Sequence, residues 1–441
     1  MQYENTLFIF RRDLRLFDNT GLINADKKSN NIIPIFIFDP HQLKQKYKSN
    51  NCIQFMVESL DDLDKQLHKY NSRLYTLYGN PWKIVEQIIK KHKIDCVMVN
   101  RDYSVYSRFR DWKIKKMCDK YSINFEHYED ILLNNIETIK NTSNKNFKKY
   151  TPYYNVAKRK KINKPIKYIF KNLMTKKIRL PNEYKNWSKL YKTNNNLYVN
   201  GGRTNALKIL KNIKQFKKYN EQKNYPKYDT TKLSPHNKFG TVSIREEYHT
   251  FKKMLGNKND LIRQLYWRDF YYNQIYFNPK LFTMHDNKKY NKIKWTNNTT
   301  LFNKWKNGNT GIAFVDAAMT QLNETGWMHN RARMVTATVL TKIYHIDWRY
   351  GERYFKTKLI DYDVTQNIMN WYWISSEATF SNPYFRVLNP LLQSQKYDPE
   401  CEYIKKWIKK YQEKTCEELQ TNDMDDIKDR IKRSITKYSK I

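Results

Sequence analysis

Short apolar runs alternate with helical stripes along the first 130 residues. The runs have the length of buried strands and fall at 6–10, 32–38, 73–78 and 95–100. Between them, apolar residues spaced by three and four positions mark one helical face, at Ile53, Met56, Leu60, Leu63 and Leu67. Repeated strand–helix units predict a doubly wound parallel sheet. No GxGxxG follows any of the runs, so the dinucleotide-binding fingerprint is missing.

The pattern changes after the predicted sheet. A polar stretch rich in Lys and Asn indicates a long connector wrapped over the surface. The chain beyond it is mostly helical: one stripe covers 315–322, Gly326 interrupts it, and a second helix is predicted to begin near Trp327. The sequence therefore predicts an α/β domain over 1–131, a long linker over 132–200 and an all-α domain over 201–441.

The charge balance favours a polyanionic partner. Lys and Arg number 82 and Asp and Glu 43, which gives a formal net charge of +39. Nucleic acid is the commonest partner for such a surface. An alternative source of the excess is codon bias in an AT-rich genome, because Lys, Asn, Ile and Tyr are abundant throughout the chain.

The cysteines are five, scattered, and without CxxC spacing: Cys52, Cys96, Cys118, Cys401 and Cys416. Neither a disulfide framework nor a zinc site is expected, and an intracellular, reducing environment is predicted. No apolar run approaches the roughly 20 residues of a membrane span, and the N-terminus lacks the plan of a signal peptide. A soluble protein without a membrane partner is expected, and the sequence does not indicate its compartment.

Two segments suit a flat, phosphorylated ligand. The hydroxyl-rich stretch 228–243 offers hydroxyls and backbone N–H groups that can hold a phosphate, although a helix cap with a loop is the simpler interpretation. In "QLYWRDFYYN", Gln264, Trp267, Arg268 and Tyr271 share one helical face. This face suits a pocket that stacks and hydrogen-bonds a heterocycle, and a helix–helix contact is the alternative.

Two later segments add further candidates. In "TGWMHNRARM" (325–334), Trp327, Asn330 and Met334 are predicted to share a helical face, and His329 has no ligand partner at helical spacing, so no metal site is expected. In "DYDVTQNIMNWYWISS" (361–376), two acids precede a pair of tryptophans. The acids either bind a metal or neutralise an arginine beside a flat ligand.

These segments, in this order, resemble the photolyase/cryptochrome family. The matching stretches are "FIFRRDLRLFDNTGL" (8–22), "TTKLSP", "YWRDFY", "GNTGIAFVDAAMTQLNETGWMHNRARM", "DWRYGERYF", "LIDYDVTQN" and "NPYFRVLNPLLQSQKYDPECEYIKKWI" (382–408). Within the family, "WMHNRARM" is most like the version in class I photolyases for cyclobutane pyrimidine dimers (CPDs). The resemblance implies an FAD-binding helical domain, with the flavin active as FADH⁻, and light-driven repair of UV-damaged DNA, double- or single-stranded, by a monomer.

The resemblance also implies roles for individual residues. The predicted FAD-binding residues are Tyr219, Thr230, Thr231, Lys232, Leu233, Ser234, Arg268, Asn330, Arg333, Asp361, Asp363 and Asn367. Those predicted to act on the lesion are Gln264, Asn330, Met334, Trp267 and Trp373. The predicted electron-transfer chain is Trp371, Trp348 and Trp295, although a buried core is the simpler interpretation of each ring. Contacts to DNA are predicted for Arg331, Arg386, Trp267 and Trp373, and no metal is expected.

Three departures from the family pattern modify these expectations. Gln264 stands where class I enzymes have a glutamate. (6-4) photolyases and animal cryptochromes also have glutamine at this position, so a (6-4) photolyase or a cryptochrome-like blue-light photoreceptor is the alternative function. Tyr106 and Ser107 replace the Asn-Glu of folate-binding members, which argues against a folate antenna and leaves another chromophore, or none, open. Residues 368–370 replace the usual glycines, so packing beside the flavin must be rebuilt.

Overall fold

A computed structural model describes residues 2–44, 46, 48–282, 290, 292–378, 380, 386–421 and 424–440. Positions 382–385 of the last matching stretch lie outside this range. The five strands are β1 (Tyr3–Phe10), β2 (Ser29–Phe38), β3 (Tyr75–Tyr78), β4 (Cys96–Asn100) and β5 (Asn124–Tyr128). They form one parallel sheet in the order β3-β2-β1-β4-β5. The predicted fold class, a doubly wound α/β domain with an all-α domain, is confirmed.

Five helices cover the sheet: α1 (Thr20–Lys28), α2 (Pro40–Leu43), α3 (Asn50–His68), α4 (Pro81–Lys91) and α5 (Val105–Lys120). The predicted apolar stripe lies on α3, which begins where the Ser49 hydroxyl accepts the backbone N–H of Cys52. Asn80 caps α4 in the same way, and Pro81 occupies its first turn. The strand that the sequence did not reveal is β5, an edge strand whose sequence "NFEHY" is polar and partly exposed.

The connector contains α6 (Tyr150–Ala157), which packs on the helical domain, and its later part lies against the sheet domain. Asp26 of α1 accepts the backbone N–H groups of Lys171 and Asn172 at 3.0 and 2.9 Å. The helical region follows, with its helices listed here: α7 (Arg203–Lys211), α8 (Tyr219–Gln222), α9 (Ser234–Phe239), α10 (Ile244–Leu255), α11 (Asp260–Phe277), α12 (Thr299–Lys306), α13 (Ala313–Thr325), α14 (Asn330–Thr338), α15 (Trp348–Lys358), α16 (Val364–Ser375), α17 (Pro390–Tyr397), α18 (Glu402–Trp407), α19 (Cys416–Thr421) and α20 (Met424–Ser439). The domain boundaries at 131 and 200 stay a prediction.

The cysteines differ from expectation at one pair. Cys401 and Cys416 form a disulfide with their Cα atoms 5.7 Å apart. The fifteen-residue separation gave no signal, because the two sulfurs meet only through the fold of α18 and α19. Cys52, Cys96 and Cys118 are free thiols. Among the described helices, none combines the length and apolar character that crossing a bilayer requires.

Buried ion pairs join the α/β domain to the helical domain. Asp130 accepts from Arg15 at 2.7 Å and from Arg245 of α10 at 2.9 Å, and Arg245 also donates to Asp18 at 2.8 Å. Burial alone would raise the pKa of Asp130, but the two guanidinium groups hold it well below its usual range. Asp130 is therefore a carboxylate on which two buried cations depend.

We expect Asp130→Asn to destabilise the protein by about 3–5 kcal/mol, because removing one partner leaves buried charge uncompensated. The measurement is the free energy of unfolding by urea denaturation at neutral pH. Asp119→Asn, which removes an exposed pair with Lys115, is the matched control and should cost less than about 1 kcal/mol. Equal effects of the two substitutions would contradict this account of the junction.

Candidate functional site

A cavity of about 520 Å³ opens in the helical domain between α11, α14 and α16. All of the residues predicted from sequence to bind the cofactor or face the lesion line it, and so does Trp371. They are Tyr219, Thr230, Thr231, Lys232, Leu233, Ser234, Gln264, Trp267, Arg268, Asn330, Arg333, Met334, Asp361, Asp363, Asn367 and Trp373. The predicted residues that do not line it are Trp348, Trp295, Arg331 and Arg386.

Helix α11 presents the predicted face to the cavity. Gln264, Trp267, Arg268 and Tyr271 all contribute to the wall, and Gln264 is exposed at its edge. The ring of Trp267 lies flat on Tyr150 of α6, with centroids 3.5 Å apart and planes 7° apart. The connector helix therefore braces one face of Trp267, a contact that the sequence did not indicate.

The helix near Trp327 begins later than predicted. His329 caps α14, its Nδ1 accepting the backbone N–H of Arg331 at 3.1 Å, so the helix begins at Asn330. Burial lowers the pKa of His329 to about 4, which keeps the ring neutral and able to accept. The prediction that Trp327 shares a helical face with Asn330 and Met334 is therefore wrong, although all three side chains reach the cavity.

An ion pair ties α14 to the segment before α16. Arg333 donates to both carboxylate oxygens of Asp361, at 3.2 and 3.0 Å, and its Nε donates to the Met328 carbonyl at 2.8 Å. Asp361 also accepts from the Ser234 hydroxyl at 2.7 Å. Of the two acids in 361–376, Asp361 therefore neutralises an arginine, as one of the two interpretations expected, and the same carboxylate fixes the start of α9.

Asp363 connects the cavity to the α/β domain. Its side chain caps α16 by accepting the backbone N–H groups of Thr365 and Gln366 at 2.9 and 3.1 Å. Its other oxygen accepts from Arg12, which follows β1, and from the Tyr272 hydroxyl. Burial opposes ionisation of Asp363, but the Arg12 guanidinium outweighs it and holds the pKa well below its usual range.

Asn367 is oriented by a buried acid. Its Nδ2 donates to Oε1 of Glu352 at 3.2 Å, and the Tyr362 hydroxyl donates to the same oxygen at 2.9 Å. Burial raises the pKa of Glu352, against the two hydrogen bonds that favour its charged form. The amide of Asn367 is thereby held at the cavity wall by an acceptor behind it, the Glu352 carboxylate, which Tyr362 fixes in turn.

The loop before α9 can bind a phosphate, and the buried carboxylate of Glu247 can accept a hydrogen bond from a hydroxyl. Lys232 has a left-handed backbone, with φ of 56°, and its Nζ contacts Asp229 at 2.7 Å. Glu247 is fully buried at the cavity wall, and within the described part of the chain its Oε1 has no hydrogen-bond partner. Its Oε2 accepts from Asn237 at 3.1 Å. A ligand with phosphates and hydroxyls, as in FAD, fits this donor and acceptor set.

The three predicted electron-transfer tryptophans differ in their relation to the cavity. Trp371 forms part of the wall, and a Cβ at Gly351 would lie 2.2 Å from its ring. Glycine at this position therefore lets α15, which begins at Trp348, approach Trp371 closely. Trp295 is half-buried and lies 5.6 Å from His345, in the loop just before Trp348. Of the three rings, Trp371 thus lines the cavity, Trp348 is buried and Trp295 is half-buried.

Arg331 and Arg386, the two arginines predicted to contact DNA, do not line the cavity. Arg331 donates to Asn224 at 2.7 Å and to Gln393 at 3.2 Å, and it stacks over the Tyr397 ring. Burial lowers the pKa of Arg331, and the charge of Arg386 adds to this effect. Two arginines close enough to repel each other favour an anion between them.

A second cavity of about 320 Å³ lies at the carboxyl ends of the strands. Arg11 and Arg12 follow β1 there, Asp102 follows β4, and the strand order reverses between these two strands. This is where doubly wound sheets bind ligands. Tyr106 and Ser107, the positions that argue against folate, line this cavity.

Comparison with known proteins identifies the family. The model "FAD binding domain of DNA photolyase" matches residues 261–439, and the model "DNA photolyase" matches residues 6–169. A deoxyribodipyrimidine photo-lyase of Buchnera aphidicola is 35% identical over 434 residues, covering 92% of this chain and 87% of its own. The chain belongs to the DNA photolyase family.

Solved structures of photolyases agree with this membership. A Sulfolobus tokodaii photolyase, described with two FAD molecules, is 36% identical with a TM-score of 0.89, over 99% of this chain and 100% of its own. A class III photolyase of Agrobacterium tumefaciens is 27% identical with a TM-score of 0.88, over 98% and 92%. A Synechocystis cryptochrome, at 24% identity and a TM-score of 0.88, shares the fold. The predictions of FAD as cofactor and of an enzyme are confirmed; the residue roles stay predictions.

Several residues that support the site were not predicted from the sequence. Arg12 and Tyr272 hydrogen-bond to Asp363, and Glu352 accepts a hydrogen bond from Asn367. Tyr150 of the connector stacks on Trp267. The available signal for Arg12 was its place in "FIFRRDLRLF", which carries no information about a partner 351 positions later.

Glu247 should make stability depend on pH. Burial raises the pKa of Glu247 to about 8, above its value in the unfolded chain. Its contribution to the free energy of unfolding is therefore fully present below the unfolded pKa and is lost as the pH rises through about 8. We expect the wild type to lose stability between pH 5 and 8, by on the order of a few kcal/mol. In Glu247→Gln this loss should shrink.

The measurement is urea denaturation of both proteins across this range. Asp119→Asn, an exposed carboxylate, should follow the wild type. Parallel curves for Glu247→Gln and the wild type would show that Glu247 does not carry the effect.

Proposed function

We propose that this photolyase splits cyclobutane pyrimidine dimers in UV-damaged DNA in a light-driven reaction. The observation that supports this most directly is one cavity that combines both predicted sets of side chains, those for the flavin and those for the lesion. The named relatives are deoxyribodipyrimidine photo-lyases. The formal charge of +39 supplies attraction to the DNA backbone.

The lesion-facing wall is formed by α11, α14 and α16. Trp267 and Trp373 offer aromatic faces to two flipped pyrimidines, and each stacked base contributes about 1–3 kcal/mol. Two such contacts offset the few kcal/mol that flipping a damaged step costs. Because Tyr150 already holds Trp267 flat, little side-chain freedom is lost when a base stacks on it. Asn330 and Met334 give the pocket the polarity and shape that favour a CPD over a (6-4) lesion.

The cofactor wall is formed by charged and amide side chains. When bound, reduced FAD supplies the light-excited electron that cleaves the dimer. Arg333 brings positive charge to the wall and Asp361 compensates it, so neither charge is left without a partner. Asn367, held by Glu352, and Asp363, held by Arg12, orient the wall from behind. The loop over 230–234, with Glu247, faces the phosphate and hydroxyl part.

Two further groups complete the proposed machinery. Arg331 and Arg386, whose charges act on each other, are the contacts for phosphates beside the lesion. Trp371, Trp348 and Trp295 form the path by which the flavin is reduced from the surface, beginning at the cavity wall. The monomeric state and the nature of any second chromophore stay predictions.

Blue light should remove dimers from DNA only when this protein is present. UV-irradiated oligo(dT) is incubated with the purified, chemically reduced protein in light and in darkness, and the remaining dimers are counted. We expect a loss in light alone, and binding that weakens steeply with salt. The same assay on an oligonucleotide carrying a (6-4) lesion is the specificity control. Equal dimer content in light and darkness would exclude the lyase function.

Gln264→Glu should increase the number of dimers split per absorbed photon. A glutamine donates a hydrogen bond through its amide but cannot transfer a proton, whereas a carboxylic acid can do both. The measurement is the repair quantum yield of the two proteins with equal FAD content. Gln264→Leu, which removes the hydrogen bond at similar bulk, should lower the yield below that of the wild type. A repair quantum yield of Gln264→Glu no higher than that of the wild type would contradict this account of Gln264.

A further inference from the structure

A buried carboxylate that the proposed function does not use contacts the middle tryptophan. The indole Nε1 of Trp348 donates to Oε2 of Glu377 at 3.0 Å. Glu377 is fully buried and Trp348 is 4% exposed, so water does not compete for this hydrogen bond. Trp348 is thus a redox-active ring in the proposed path whose only ionisable hydrogen already points at an acceptor.

The position of Glu377 is fixed by the end of α16. Ser376 adopts a left-handed backbone, with φ of 66°, and terminates the helix. The backbone N–H of Glu377 then donates to the Tyr372 carbonyl at 3.3 Å. Lys342, in a π-helical turn over Val339–Ile343, donates to the Ser376 hydroxyl at 2.8 Å and to the Arg386 carbonyl at 2.9 Å. The Glu377 carboxylate and the buried amine of Lys342 are therefore both positioned by the end of α16.

The charges around Glu377 determine the state from which it acts. Burial lowers the pKa of Lys342 to about 7, against the attraction of Glu377. Hydrogen bonding to Asp347 raises the pKa of Arg349, and Glu377 contributes to that rise. Burial and Glu377 also raise the pKa of Tyr290 and Tyr438, so these phenols stay neutral at physiological pH. The titratable groups that face Glu377 are thus Lys342, Arg349 and two neutral phenols, and the positive charge of Arg349 attracts its carboxylate.

We propose that Glu377 is the proton acceptor of Trp348 during electron transfer along the tryptophans. The inference rests on the proposed function, because it needs Trp371 to be oxidised by a photoexcited flavin. Oxidised Trp371 takes one electron from Trp348 and is restored to neutral indole. Trp348 becomes a radical cation, and its Nε1–H bond breaks as the proton moves to Oε2 of Glu377. The products are a neutral Trp348 radical and a protonated Glu377.

Physical chemistry favours this transfer over a longer path for the hole. Loss of an electron makes the indole N–H a far stronger acid than in the neutral ring. A preformed hydrogen bond to a carboxylate requires only a short proton movement, and the low dielectric of the site strengthens the attraction. The neutral radical is a weaker oxidant of Trp295 than the radical cation, so the electron vacancy stays at Trp348. An external thiol or another one-electron reductant later returns the electron, and Glu377 returns the proton.

The decisive experiment is flash photolysis of the FAD-loaded protein in H₂O and D₂O. Cation and neutral indole radicals have distinct visible spectra. In the wild type we expect the neutral radical, formed more slowly in D₂O, and we expect it to persist in Trp295→Phe. Glu377→Gln keeps a hydrogen-bond acceptor but cannot take the proton. It should lose this neutral-radical step and its isotope effect, leaving the cation to reach Trp295. Asp398→Asn, a buried carboxylate elsewhere, should behave as the wild type.

A second measurement does not depend on the flavin. The indole N–H signal of Trp348, assigned with Trp348→Phe, should shift and exchange faster with solvent in Glu377→Ala than in the wild type. Repair by chemically reduced Glu377→Gln should be unchanged, because it does not pass through Trp348. An unchanged neutral radical and isotope effect in Glu377→Gln would overturn the role of Glu377 alone. Absence of any tryptophan radical in the wild type would overturn the electron path itself, and the inference with it.

Discussion

Pairing of buried guanidinium and carboxylate groups across the two domains is the interaction on which the site depends. Arg12 of the sheet domain contacts Asp363 at the start of α16, and Arg245 of the helical domain contacts Asp18 and Asp130. Charges of this kind are costly to bury and are stabilising only when paired. The pairs therefore fix the register between the domains, since any other arrangement would leave a charge buried without its partner.

Helix α16 shows how this constraint reaches the chemistry. Its cap, Asp363, is held from the other domain, and residues four apart follow one face of the helix: Asp363, Asn367 and Trp371. All three line the cavity, and so does Trp373, two positions after Trp371. Beyond the helix end, Glu377 returns to contact Trp348. Under the proposed function, this one segment carries an ion-pair anchor, a flavin-facing amide, an electron carrier and a stacking ring.

Local patterns in the sequence were enough for most of the fold, and long-range contacts were not. The apolar runs marked four of the five strands, whereas the polar edge strand β5 has no such run. The shared face of Gln264, Trp267 and Arg268 followed from helical spacing and lines the cavity. The start of α14 did not follow, because His329 caps the helix with its own side chain. Contacts such as Arg12 with Asp363, or Tyr150 with Trp267, join segments that share no local pattern.

The two cavities are separated by a common wall. Lys238, Tyr362 and Asp363 line both of them. A ligand that reorders this wall on one side changes the free energy of binding on the other, and thermodynamic linkage makes the effect mutual. The factor by which a second chromophore alters the affinity for FAD must equal the factor by which FAD alters the affinity for that chromophore. Any ligand of the smaller cavity that displaces this wall is therefore thermodynamically linked to FAD binding, and the two binding equilibria are then not independent.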